Sequence, residues 1–214
     1  YKFNMDRIYN LVDKGIKVIV RGNVGADLEK VSSIENDYCK AMKEIMQYLY
    51  ELGHTRIAYL AGFRKNMPYD LRIKGYLDMV RELDLPCGED LLIEGNYPYT
   101  TGMQDGYEYA RDIIASGKKF TAVICVNDLV ALGAIKALKE NGYKVPEDVS
   151  VVGFDGIEFG KYWEPELTTM SLDKIRFGEK AFEILYGDMA GKGTASYELA
   201  VELIVRKSTA RCRE

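Results

Sequence analysis

The chain has 214 residues but only one histidine, His54, and its four cysteines, Cys39, Cys87, Cys125 and Cys212, form no C-x-x-C pair. A zinc centre would lack its usual ligands. Thiols this sparse do not make a disulfide framework. Cys125 lies in an apolar run and reads as an inert core residue. A basic excess is also missing: 29 basic against 33 acidic residues give a formal net charge of −4. That balance argues against nucleic-acid binding by this chain itself. The short basic piece Arg206-Lys207…Arg211…Arg213 reads as a solvated tail. No apolar run reaches the roughly 20 residues of a membrane span, and no secretory leader opens the chain. The expectation is therefore no membrane and a reducing cytoplasm. There is no G-x-S-x-G, no Cys/His pair in register and no internal repeat. Gly22-Asn23-Val24-Gly25 lacks the G-K-[ST] ending of a phosphate loop. No catalytic residue, metal or cofactor is expected.

What is present suits a sizeable core. Hydrophobic residues make up 47% of the chain, which is ordinary for a globular protein. The length fits one large domain or two small lobes. Apolar spacing predicts helices over 6–14, 37–52, 69–83, 101–116, 129–141 and 173–190. Leu71, Tyr76, Leu77, Val80 and Leu83 should face inward on the third of these. Ile175, Phe177, Ala181, Ile184 and Leu185 should do so on the last. Strands are predicted over 16–20, 31–34, 57–62, 91–95, 122–126, 149–154, 167–171 and 197–205. Asn36 or Asp37 can cap the second helix. From Ile57 to Phe154 strand and helix alternate, which argues a parallel sheet flanked by helices.

The stretch V-P-E-D-V-S-V-V-G-F-D-G, followed by P-E-L-T-T-M-S, organises the rest. Its buried strand delivers Asp155 to the carboxyl edge of the sheet, where open α/β folds bind small ligands. The same stretch carries a resemblance, together with L-G-H-T-R-I-A-Y-L-A-G (52–62), R-I-K-G-Y (72–76), N-D-L-V-A-L-G (127–133) and the ending V-R-K-S-T (205–209). In this order and at these separations the chain resembles the effector-binding domain of the LacI/GalR family of bacterial transcription repressors.

The resemblance implies a two-lobed, type I periplasmic-binding-protein-like α/β fold, each lobe a parallel sheet flanked by helices, with an effector in the cleft. Residues 1–33 and 171–194 would form the first lobe, without its leading β-α units. Residues 34–169 and 197–209 would form the second, with 210–214 as a tail. Three crossings would fall near 33–35, 169–171 and 194–196. The effector would be a small molecule such as a sugar. The parent protein would be a homodimer that meets operator DNA through a headpiece absent from this chain. Effector identity, induction versus corepression, and the operator stay open. A sugar-binding protein of a transport system shares the fold and is the alternative reading; a hydrolase on this fold is a third.

Five residues are carried over as ligand contacts. Asp155 matches an effector-binding carboxylate, whose charge-assisted hydrogen bonds add direction; otherwise it is a solvated turn residue. Arg72 matches an effector-binding arginine, whose fork suits vicinal hydroxyls or a carboxylate; otherwise it is a surface arginine. Asn127 offers donor and acceptor in one amide; otherwise it caps the following helix, a role for which Asp128 is the better candidate. Tyr97 matches an aromatic position suited to stacking on a sugar or base, and Asn66 is a lesser candidate. Two departures stand out. Gly156 replaces a frequent second polar residue, which relieves the turn. Arg21 replaces an acid of some sugar-responsive members, which points to an anionic ligand or to a plain rim charge. His54 reads as structural.

Overall fold

Strand and helix alternate along this chain, and the computed structural model shows what the alternation builds. It describes residues 5–22, 30–62, 71–95 and 101–213. Two compact units emerge. Unit 1 comprises Tyr1–Asp37 and Leu172–Val201, and unit 2 comprises Tyr38–Ser171 and Glu202–Glu214.

Unit 2 holds the larger sheet. Its strands are β3 (Ile57–Gly62), β4 (Leu92–Glu94), β5 (Ala122–Cys125), β6 (Ser150–Asp155), β7 (Thr168–Leu172) and β9 (Val201–Ile204), in the spatial order β4-β3-β5-β6-β7-β9. The pairings from β4 through to β7 are all parallel. β3 and β5 are buried along their whole length, which is why they read as continuous apolar runs and not as alternating ones. Helices α2 (Tyr38–Glu51), α3 (Leu71–Glu82), α4 (Met103–Ala115) and α5 (Asp128–Glu140) connect or flank the strands. Gly106 and Gly133 let α4 and α5 cross so closely that a Cβ on either would run into the other helix's backbone.

Unit 1 holds β1 (Ile19–Arg21), β2 (Ser32–Glu35) and β8 (Ser196–Glu198) in a parallel sheet of that order, with α1 (Met5–Asp13) and α6 (Lys174–Met189). Val20, Val31, Ile34 and Leu199 form its buried apolar centre. Lys17 pairs with the buried Asp188 at 2.8 Å. Arg21 is exposed, 5.6 Å from the centre of the Phe177 ring.

Four expectations need correction. Leu71 is exposed, because at about 3.6 residues per turn it lies opposite the buried Ile73, Tyr76 and Val80. Ile175 is 77% exposed for the same reason. Phe177, Ala181 and Ile184 share the side of the buried Asp188, whereas Ile175 lines up with the exposed Phe182, Tyr186 and Met189. The run 197–205 is not one strand of the second lobe. β8 pairs with β2 in unit 1, Leu199 N donates to the Glu35 carbonyl at 2.8 Å, and only β9 joins the larger sheet. Finally, the residues from Arg206 to Cys212 are no loose tail. Ser208 is fully buried and its hydroxyl donates to the Val151 carbonyl at 2.6 Å. Cys212 N donates to the Leu52 carbonyl. Small hydroxyl residues supply both donor and acceptor to strand ends that would otherwise be unsatisfied.

Candidate functional site

Parallel strands deliver their carboxyl ends to one edge, so residues just beyond them are neighbours whatever their separation in sequence. Ligands of open α/β sheets sit outside that edge where the strand order reverses. In unit 2 the reversal lies beside β3: the chain leaves it for β4 on one side and returns to β5 on the other.

Arg72, the second residue of α3, reaches this edge. Its Nη1 donates to the Val126 carbonyl, just past β5, at 2.9 Å. The guanidinium lies 5.2 Å from the centre of the Tyr38 ring and 5.8 Å from that of Phe154. The two rings meet edge-on at 6.4 Å. A planar cation held by a carbonyl and two aromatic faces keeps one orientation. Neither Tyr38, the first residue of α2, nor Phe154, the penultimate residue of β6, was singled out as part of the site from sequence. Only the tertiary fold brings them to an arginine at position 72.

Asp155 ends β6 and is exposed, with φ at 104°. Left-handed backbone is uncommon for a residue with a Cβ and gathers at binding sites. Gly156 follows at φ 60°, and a Cβ there would collide with Ser171 on β7. That close approach is the physical reason for glycine at this position.

The cap of α5 is Asn127 and not Asp128, the better cap candidate by sequence. Asn127 Oδ1 accepts from Val130 N at 2.8 Å and its Nδ2 donates to the Thr101 carbonyl at 2.8 Å. Asp128 turns inward and is fully buried. It accepts from Thr169 Oγ1 at 2.5 Å and from Ile157 N at 2.7 Å. Burial pushes its carboxyl up to about 6, a rise to which the nearby charge of Asp155 adds and which the two hydrogen bonds and Arg206 oppose. Asn66 and Tyr97 lie outside the described residues.

His54 is buried and structural, its Nδ1 3.0 Å from Thr121 Oγ1 and its Nε2 3.0 Å from the Ala210 carbonyl. Among the described residues no group of three or more His, Cys, Asp or Glu side chains is placed to hold a metal, and no helix is long and apolar enough to cross a membrane. A groove of about 560 Å³ in unit 1, lined by Phe182, Tyr186, Lys192 and Tyr197 among others, includes none of Arg72, Asn127 and Asp155. It is an open surface beside α6 whose lining mixes these aromatic rings with Lys180, Glu183 and Ser196, whereas the strand edge of unit 2 is the place where open α/β sheets bind small ligands.

Comparison with known proteins agrees with this architecture. The model of the periplasmic binding protein-like domain matches residues 46–209. The HTH-type transcriptional repressor PurR of Vibrio parahaemolyticus is 40% identical over 164 residues, which are 76% of this chain and 48% of that protein. The chain thus spans about half the length of such relatives. A LacI family transcriptional regulator from Enterococcus faecium, solved with bound ribose, superposes with a TM-score of 0.84 at 25% identity, covering 98% of this chain and 76% of the other. The complex of the transcriptional regulator CelR with cellobiose gives 0.82 at 27% identity, covering 92% and 60%. The chain belongs to the periplasmic-binding-protein-like domain family, as a ligand-binding domain of the LacI/GalR type.

Proposed function

We propose that this chain senses a sugar-class small molecule for a LacI-type transcription regulator. Arg72 supplies a fixed fork to vicinal hydroxyls or a carboxylate, and Asp155 accepts from ligand hydroxyls. Asn127 adds the second N–H of its amide. The longer protein acts as a homodimer, and occupancy shifts the population of its DNA-binding form. Operator DNA is met through a segment outside this chain.

The observation that supports this reading is the immobilised Arg72 at the sheet edge where the strained Asp155 also ends. The ribose and cellobiose bound by two structural neighbours favour a sugar over other small molecules.

Thermal-shift and calorimetric titration against ribose, cellobiose, sugar phosphates and purines tests it. A ligand at a hundred times its Kd should stabilise the fold by about 2.7 kcal/mol. Arg72→Ala and Asp155→Ala should each abolish that gain while remaining folded. A response unchanged in both variants would remove this site.

A further inference from the structure

Asp128 has no evident reason to be an acid at the start of α5. The helix is already capped by Asn127, and a fully buried carboxyl is costly unless its hydrogen bonds need it. Its partners explain the placement. One oxygen meets Ile157 N, two residues beyond Asp155, and the other meets Thr169 Oγ1 on β7. Thr169 Oγ1 in turn lies 3.3 Å from Gly156 N, which donates to it. Both amides that follow Asp155 therefore end on Asp128 or on its partner. The same turn contains the two left-handed residues, Asp155 and Gly156. A backbone in that state persists only where its surroundings hold it.

We propose that Asp128 is a positioning residue for the ligand site: it holds the Asp155–Gly156–Ile157 turn in its left-handed form and fastens it to Thr169 on β7. This rests on reading Asp155 as a ligand contact. Among the described residues, Cys125 at the end of β5, Asp155 at the end of β6 and Arg206 beyond β9 interact electrostatically with the Asp128 carboxyl. Asparagine is the conservative replacement. Its carbonyl can accept from Ile157 N while its amide donates to the Thr169 hydroxyl, so the link survives without a titrating group.

Amide hydrogen exchange by NMR, with ribose titration alongside, tests the proposal in wild type, Asp128→Ala, Asp128→Asn and Thr169→Val. The expected result is at least tenfold faster exchange at Ile157 in Asp128→Ala, with Val152 in β6 unchanged. Thr169→Val should speed exchange at Gly156 and leave the core protected, which keeps the test open if Asp128→Ala does not fold. Asp128→Asn should restore protection to within about threefold. Ribose affinity should fall about tenfold in Asp128→Ala and recover in Asp128→Asn. Unaltered exchange at Ile157 and Gly156 in the alanine and valine variants would overturn the proposal, even where Arg72→Ala still abolishes binding. Altered exchange in a protein that ignores every sugar would instead uphold the link to the turn and count against the sugar site.

Discussion

Tyr38 and Arg72 lie in the first turns of neighbouring helices, and the tyrosine ring centre lies 5.2 Å from the arginine's guanidinium carbon. The contact comes from α2 and α3 packing side by side, where Gly75 lets the backbone of Cys39 approach closely. It fixes the direction of a side chain that would otherwise sample many rotamers. Removing the ring by Tyr38→Ala should therefore weaken ligand binding about three- to thirtyfold, the range of a partly buried cation–π contact. Calorimetric titration measures it. Equal affinity in variant and wild type would show that Phe154 and the Val126 carbonyl suffice.

The carboxyl of Asp128 makes a prediction with a definite sign. Its value in the fold, about 6, is above the ordinary 3.8. The folded form therefore holds a proton that the unfolded chain has released between those two values. The group's favourable contribution is full below pH ~4 and is lost as pH rises through 6, by on the order of 1–3 kcal/mol. Urea unfolding of wild type and Asp128→Asn at pH 5 and pH 7.5 should show the wild type losing more stability over that rise. Parallel behaviour of the two proteins would contradict the raised value.

His54 has the opposite slope. Burial holds its ring below the usual 6.5, against the pull of the Ala210 carbonyl. Nε2 faces a carbonyl and must donate, so Nδ1 accepts from Thr121. As pH falls below 6.5 the unfolded chain takes up a proton first, and stability is lost. His54→Gln should flatten that acid limb between pH 6.5 and 5 in the same unfolding assay. An unchanged acid limb would place the ring's titration elsewhere.

Gly156→Ala should cost about 1–3 kcal/mol, because alanine meets both a left-handed backbone and the Ser171 side chain. Adding Ser171→Gly should return part of the loss by removing the collision but not the φ. Denaturant midpoints of the single and double variants measure both.

Much of unit 2 was legible because its buried strands are short apolar runs between polar turns, as in Val-Val-Gly-Phe before Asp155. The carboxyl edge followed from that order. Which of Asn127 and Asp128 caps α5 was not legible: two short polar residues open the helix, and only its packing against the sheet decides which turns inward. The Tyr38–Arg72–Phe154 cluster joins three segments far apart in sequence, so no local pattern announces it. The run 197–205 looked like one strand because alternation does not mark where a backbone changes partner. The basic ending looked solvated because charge dominates its composition, while Ser208 and Thr209 make the contacts that hold it.

Chemical-shift mapping with ribose and with cellobiose tests the central claim most directly. The backbone amides of Asn127, Gly156 and Ile157 and the guanidinium of Arg72 should move together and saturate with one Kd. Shifts confined to unit 1, around Tyr186 and Tyr197, with this edge of unit 2 silent, would contradict it.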